Sequence, residues 1–255
     1  MNSGRFSVHR LILQLEPLLL FGVLYLPGYL AQTGRINGNM FDSVTFNVSY
    51  WLIALSRIGI VLYLVLLRGA VVRRDLPPVE DIESEPEGGS SAALREIGVV
   101  RFRMADLPWT LAALAVIEAF VVPVVMVSRS IDKGSIPLLR GDVHWQLGQP
   151  MMIPLVLVTS ILVGYSEELY FRSYLLTILP KMGVTTAGAV VASVLLFSMG
   201  HVYEGVAGVA GAAVIGVVLS LVFLKRRSIH VIALAHGLYN FATLLLTLSG
   251  GRVSP

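Results

Sequence analysis

Three groups of polar residues interrupt the apolar stretches in the second half of the chain. Each contains a residue type that could take part in hydrolysis, because a carboxylate and an imidazole together can hold one water molecule and remove its proton. In chain order the groups are Glu167-Glu168-x-x-x-Arg172, Phe197-x-x-x-His201 and His236-x-x-x-Asn240. The hydroxide-like nucleophile formed in this way is one that a hydrolase site would use.

The first group contains two carboxylates but only one positively charged side chain. Glu168 and Arg172 are four residues apart with the carboxylate first, which is the favourable order for an ion pair within a helix. Glu167 points about 100° around the helix from Glu168 and needs a different partner. A charge at the centre of a bilayer costs about 2.5–3.5 kcal/mol, so Glu167 is expected to have either a partner or a chemical role.

The candidate partners are the two histidines inside later apolar stretches. At 1.5 Å per residue, Glu167 and His201 lie about 21 and 24 Å from the turn between their helices, which places them at similar depth. His236 rises only about 13 Å by the same rule, so tilt or an offset turn must supply the difference. His236 and Asn240 share a helix face and could donate hydrogen bonds to the oxyanion of a tetrahedral intermediate, provided that the histidine is in a donating tautomer.

The composition places these residues in a membrane. The 255 residues are 55% hydrophobic and 14% charged, with a mean hydropathy of +0.77, whereas soluble domains have roughly 25% charged residues. The absence of cysteine excludes disulfides, thiolate zinc sites and cysteine nucleophiles. The formal net charge of +3 is attributed to arginines in cytoplasmic loops rather than to nucleic-acid binding.

These features predict an all-α, polytopic integral membrane helical bundle of about seven transmembrane helices, with the catalytic core formed by the last four. The first stretch is too long for the apolar core of a cleavable leader and is expected to remain as a span. The fifth is short, so it must extend past Tyr203 or have its end buried by neighbours. The predicted spans are 11–30, 50–67, 107–127, 152–179, 186–201, 206–224 and 229–248.

A charged, flexible loop between spans two and three divides the chain into residues 1–106, which carry two helices, and residues 107–255, which carry the core. Within the loop, residues 91–98 could form a short surface helix, although a solvated linker fits the sequence equally well. Loop arginine and lysine residues favour a cytoplasmic N-terminus, mainly through the clusters at 68–74 and 225–227. The compact chain is expected in a bacterial plasma membrane.

Several other polar and small residues have structural explanations. Glu16, Arg57 and Glu118 are intramembrane charges for which an ion pair and a site role remain open alternatives, and Arg57 with Glu118 is one candidate pair. In span six the small residues at every fourth position predict a close-packing ridge, because small side chains let helix backbones approach each other in lipid. These residues are Gly208, Ala212, Gly216 and Ser220.

The three groups, in their order on three membrane helices, resemble the three motifs of the CAAX prenyl protease and bacteriocin-processing family of glutamate-type intramembrane proteases. The resemblance covers residues 152–248 and is complete at the motif positions. It implies that Glu167 is the general base and that His201 helps to activate the water. It further implies that His236 and Asn240 stabilise the oxyanion, whereas Glu168 and Arg172 support the site and Phe197 lines it.

The resemblance also implies what the protein acts on. The expected partners are the lipid bilayer and a membrane-associated peptide or protein substrate, of prenylated CAAX type or bacteriocin-like. No cofactor is expected, because one Glu–His pair suffices to activate water and no His-Glu-x-x-His motif is present. Two histidines and a glutamate could nevertheless bind zinc, so a metalloendopeptidase-like site stays open as an alternative.

Two other functions fit the same residues. A non-catalytic membrane immunity or chaperone partner would use the polar residues only as a hydrogen-bond network that fastens helices. A proton-linked transporter would use buried glutamate and histidine to relay protons, but the sequence lacks the internal repeats typical of that class. The sequence favours the intramembrane endopeptidase.

Overall fold

The computed structural model describes residues 8–28, 40–74, 89–131 and 147–249, and every regular element in these ranges is helical. A π-helix, Leu169–Tyr174, joins the fifth α-helix to the sixth. The α-helices are α1 (Val8–Leu24), α2 (Val44–Arg74), α3 (Gly89–Glu96), α4 (Leu107–Ile131), α5 (Ile153–Glu168), α6 (Leu175–Lys181), α7 (Thr186–Met199), α8 (Gly205–Arg226) and α9 (Ile229–Ser249). The predicted all-α class is confirmed.

Seven apolar helical segments correspond to the seven predicted spans. Five are long and apolar enough to cross a membrane, and two shorter ones cover Leu15–Gly28 and Thr186–Met199. Large apolar side chains such as Leu111, Phe120 and Leu195 are more than half exposed on the outside of the bundle. Such a surface is unfavourable in water but suits contact with lipid. The chain is an integral membrane protein.

The short fifth span does not extend past Tyr203 as one α-helix. Its helix α7 stops at Met199, and a 3-10 turn at Val202–Glu204 leads into α8. In the last turn of α7, Phe197 and Ser198 are buried and Met199 is 57% exposed. Neighbouring helices therefore cover one side of the helix end.

Span four is widened directly after its two glutamates. Glu168 is the last residue of α5, and all six residues of the following π-helix, Leu169–Tyr174, are buried. A π-helix forms i→i+5 hydrogen bonds, is rare, and occurs frequently at functional sites. Neither proline nor glycine occurs within the segment, so the π-helix could not be predicted from the residue types.

The turn between α8 and α9 is held by the segment that follows α3. The Ile229 amide donates a hydrogen bond to the Gly98 carbonyl at 2.9 Å. Gly98 has a positive φ of 76°, and a side chain there would collide with the Phe223 ring. Residues 97–98 are buried against this turn, so the end of the loop is a packed cover and not a solvated linker.

The first two helices pack against span four through polar contacts. Glu16 forms an ion pair with Arg68 at 2.5 Å and accepts a hydrogen bond from the Tyr174 hydroxyl at 2.6 Å. Arg57 donates to the Leu24 carbonyl at 2.8 Å and lies over the Tyr25 ring. The candidate pair of Arg57 with Glu118 is not formed in the described part of the chain.

Candidate functional site

Two glycines allow span four to approach span seven closely. A Cβ atom on Gly164 would lie 2.7 Å from the Ala233 carbonyl oxygen and 2.9 Å from the Gly237 nitrogen. A Cβ atom on Gly237 would lie 2.8 Å from the Ile161 Cα atom. Both collisions would be with backbone, which cannot move aside as a side chain can. The close contact lies within one turn of Glu167 on α5 and beside His236 on α9.

His236 lies between the two glutamates at this contact. Its Nδ1 atom is 2.8 Å from Glu168 Oε1, and its Nε2 atom is 3.8 Å from Glu167 Oε2. A carboxylate paired with an arginine is a hydrogen-bond acceptor, so Nδ1 carries the hydrogen and donates it to Glu168. His236 is 2% exposed, so this orientation is fixed away from solvent. The Nε2 atom is left to face Glu167.

Glu167 differs from Glu168 in its surroundings. Glu168 is fully buried, and its Oε1 atom accepts from both Arg172 and His236. The side chain of Glu167 is 10% exposed, and its carboxylate accepts no hydrogen bond from any residue that the structure describes. The adjacent carboxylates therefore differ: Glu168 is fully buried and bonded to two partners, whereas Glu167 is slightly exposed and accepts no hydrogen bond from a described residue.

Arg172 neutralises Glu168 in a site built to hold a guanidinium group. Its Nη1 atom is 2.7 Å from Glu168 Oε1, and both side chains are fully buried. The guanidinium carbon lies 4.2 Å from the centre of the Phe197 ring, which is a cation–π arrangement. A Cβ atom on Gly216 would come within 3.1 Å of Arg172 Nη2. The ridge of small residues on α8 therefore leaves space for this arginine as well as for close helix packing.

Replacing Arg172 by alanine is expected to lower the free energy of unfolding by about 3–5 kcal/mol, because it leaves a buried carboxylate without its counter-charge. The measurement is unfolding of the purified protein in detergent. The double variant Arg172→Ala/Glu168→Gln serves as control, because it also removes the stranded charge. Its loss should be smaller than the sum of the two single losses, and strictly additive losses would contradict the pairing.

Phe197 connects the two histidines. Its ring centre lies 4.7 Å from that of His201 and 5.7 Å from that of His236. The Nδ1 atom of His201 lies 2.9 Å from the Phe197 carbonyl oxygen, which can only accept, so Nδ1 donates. The neutral His201 ring therefore keeps a lone pair on Nε2 that can accept a hydrogen bond from water.

Asn240 lies one turn beyond His236 on α9, and its side chain is half-buried. It makes no hydrogen bond with a residue in the described ranges. The structure thus brings six predicted residues into one continuous set of contacts, and Asn240 is on the same helix at its edge. The contacting residues are Glu167, Glu168, Arg172, Phe197, His201 and His236.

The difference in depth expected for His236 does not separate it from the glutamates. Its Nδ1 atom lies 2.8 Å from Glu168 Oε1, and its Nε2 atom lies 3.8 Å from Glu167 Oε2. His236 is therefore closer to both glutamates than the helix lengths counted from the two turns predicted.

Tyr25 was missed by the sequence reasoning. Its side chain is fully buried, and its hydroxyl donates to the Ser166 carbonyl at 2.6 Å, next to Glu167 in the chain. Its ring packs against Tyr170 and Phe171 of the π-helix. Tyrosine in an apolar stretch is common, so the sequence offered no signal for this contact.

A zinc site was the alternative that the sequence left open. Among the described residues, no group of three or more histidine, aspartate or glutamate side chains is arranged to hold a metal ion.

One comparison with known proteins finds a match to the helices that carry the three polar groups. The family model for "Type II CAAX prenyl endopeptidase Rce1-like" matches residues 149–242. This segment contains all three polar groups. Over this segment the chain is similar to the CAAX prenyl protease and bacteriocin-processing family. A comparison with curated proteins and one with solved structures each find no match.

The match confirms the resemblance seen in the sequence. It begins at the start of span four and ends two residues after Asn240. It therefore covers the helices that form the Glu167–His236 contact and leaves the first three spans outside. The matched segment is similar to a family of proteases.

Proposed function

We propose that this protein is a glutamate-type intramembrane endopeptidase in which Glu167 and the histidines activate water. The observation that supports the proposal is the position of His236 between Glu167, which is slightly exposed and accepts no hydrogen bond from a described residue, and Glu168, which is fully buried and paired with Arg172. The arrangement gives two adjacent carboxylates different roles. Glu168 orients the imidazole, while Glu167 is available to take a proton.

In the proposed reaction, water beside Glu167 Oε2 gives up a proton to the carboxylate while its oxygen adds to the carbonyl carbon of the peptide bond. The 3.8 Å between Glu167 Oε2 and His236 Nε2 is too long for a direct hydrogen bond, but one water can contact both atoms. The proton held by Glu167 then passes to the leaving nitrogen, and the carbon–nitrogen bond breaks.

His236 is proposed to stabilise the tetrahedral oxyanion. Because Nδ1 already donates to Glu168, Nε2 can donate to the oxyanion only when the ring is positively charged. Glu168 stabilises that charged ring, as a carboxylate does for the imidazole of a serine protease. The Asn240 amide is the second proposed donor, and each donor of this kind contributes about 10²- to 10³-fold.

His201 is proposed to hold the attacking water from the other side. Its Nδ1 donor is committed to the Phe197 carbonyl, so its Nε2 lone pair is the group that can accept from water. The proposed substrates are membrane-associated peptides or proteins, of prenylated CAAX type or bacteriocin-like. The proposed location is a bacterial plasma membrane with the N-terminus in the cytoplasm, a side supported by the loop arginines.

The test is cleavage of a panel of membrane-anchored and prenylated peptides by the purified protein. We expect product from at least one peptide, loss of that product with Glu167→Ala, and unchanged product after treatment with a zinc chelator. Loss of activity on chelation, with recovery on adding zinc, would contradict the metal-free proposal. A Glu167→Ala variant that keeps full function in cells, with no cleavage by wild type, would favour a non-catalytic immunity or chaperone partner.

A further inference from the structure

A polar cavity lies beside the α8–α9 turn. The residues that line it differ from those proposed to cleave peptides. Its volume is about 250 Å³, which leaves room for a phosphate group with its ester substituents, since one water occupies about 30 Å³ in the liquid. Its polar lining consists of Arg101, Arg103, Asp106, Arg226, Arg227 and Ser228.

The cavity lies at the level of a membrane surface. The candidate span of α4 begins at Met104, that of α8 ends at Arg226, and that of α9 begins at Ile229. Three spans thus begin or end at residues that line or adjoin the cavity. Lipid headgroups lie at this level of a bilayer.

The lining carries a strong positive charge. Four arginines face a single acid, Asp106, which accepts a hydrogen bond from the Arg103 amide at 3.0 Å and lies 3.6 Å from Arg226. The aspartate is therefore already engaged with two of its neighbours. Guanidinium groups bind phosphate oxygens in a planar, two-bond geometry, so the excess charge suits a phosphate ligand.

Two buried donors in the lining have no partner in the described part of the chain. The Ser228 hydroxyl belongs to a side chain that is only 3% exposed, and it makes no hydrogen bond there. The Nε atom of Arg226 is also buried without an acceptor. Leaving a buried donor unsatisfied is costly, so both groups point to an acceptor supplied from outside the chain.

The backbone at the cavity is strained at one residue. Arg227 has a φ of 49°, the one left-handed non-glycine residue in the described ranges. Glycine is the usual residue at this position after a helix, and a larger side chain costs free energy there. Position 227 therefore carries an arginine at the cavity, although glycine would adopt this backbone conformation at a lower cost in free energy.

An aromatic side chain completes the surroundings. The Arg226 guanidinium lies 4.7 Å from the Trp109 ring centre, and the Lys225 ammonium lies 5.0 Å from it. Tryptophan is enriched where hydrocarbon meets headgroups. The combination of tryptophan, lysine and arginine at the end of three spans is typical of contact with a lipid headgroup region.

We propose that this cavity binds the phosphate of an anionic phospholipid headgroup. The arginines bind the phosphate oxygens, and Ser228 donates to one of them. A zwitterionic headgroup fits less well, because its ammonium group would lie near four guanidinium groups. The bound lipid fixes the α8–α9 turn at the membrane surface.

The test uses the full chain in bilayers of equimolar phosphatidylglycerol and phosphatidylcholine. The protein is extracted in mild detergent, and the lipid that it retains is measured by native mass spectrometry. We expect wild type to retain phosphatidylglycerol in preference. Arg227→Gly should bind it about tenfold more weakly, since it loses a charged contact, although the turn itself becomes less strained. Lys181→Ala, which removes a cation outside the cavity, should bind as wild type does.

Two further measurements separate the possible sources of phosphate. Ser228→Ala should weaken retention without lowering the thermal unfolding temperature. Inorganic phosphate, titrated into delipidated protein, should show no binding at millimolar concentration. Binding of inorganic phosphate that Arg227→Gly abolishes would instead indicate a soluble phosphate ligand and overturn the lipid assignment. Equal retention of both lipids by wild type, or unchanged retention by Arg227→Gly, would also overturn it.

Discussion

Glu167→Gln is expected to lower the rate of peptide cleavage by about 10²- to 10⁴-fold, the usual contribution of a general base. Glutamine has nearly the same shape as glutamate but cannot take a proton from water. Because the Glu167 carboxylate accepts no hydrogen bond from a described residue, the exchange removes no bond and should not lower the free energy of unfolding. The measurement compares cleavage rates and unfolding curves of the purified proteins.

Glu168→Gln is the matched control, because it makes the same chemical change one residue away. Glu168 is fully buried between Arg172 and His236, so this variant strands a buried guanidinium group. It should lose about 3–5 kcal/mol of stability in addition to activity. A Glu167→Gln protein that cleaves at the wild-type rate would remove Glu167 from the role of base. Equal destabilisation by both variants would contradict the different roles proposed for the two carboxylates.

The sequence predicted the partner of Glu168 but left the partner of Glu167 open. Spacing predicted the Glu168–Arg172 pair, since four residues bring two side chains to one helix face, and the structure has this pair at 2.7 Å. The high cost of charge in a bilayer singled out Glu167 and Glu168, and the structure places His236 near both. Spacing within one helix could not give the angle between helices, so the partner of Glu167 was open between His201 and His236.

Two contacts outside the motifs could not be predicted from spacing. The first is the hydrogen bond from the Ile229 amide to the Gly98 carbonyl, which joins the α8–α9 turn to the segment after α3. The second is the pair Gly164 and Gly237, whose importance depends on their facing each other across two helices. The sequence shows many glycines in its apolar stretches, and only tertiary contact distinguishes these two from the rest.

Gly237→Ala is expected to lower cleavage by about 10²-fold or more, because a misplacement of about 1 Å in a catalytic group can have that effect. Its new Cβ atom would lie 2.8 Å from the Ile161 Cα atom and 3.0 Å from the Ser160 carbonyl oxygen. Both obstacles are backbone, so α5 and α9 must separate. The separation directly lengthens the distance from His236 to both glutamates.

Gly164→Ala should act in the same way from the opposite helix, since its Cβ atom would meet the Ala233 carbonyl oxygen at 2.7 Å. Gly59→Ala is the matched control: Gly59 is also within a membrane helix, and nothing lies within 4 Å of an added Cβ atom there. It should keep full activity and gain about 0.5–1 kcal/mol, because alanine favours helix more than glycine does.

The decisive comparison is between activity and stability across these three variants. If close approach of α5 and α9 is what positions His236, both contact variants should lose activity and stability while Gly59→Ala loses neither. A Gly237→Ala protein that keeps the wild-type cleavage rate would show that the helices can separate without displacing the imidazole. In that case Glu168, which holds Nδ1 of His236 at 2.8 Å, would have to position the ring without help from the helix contact.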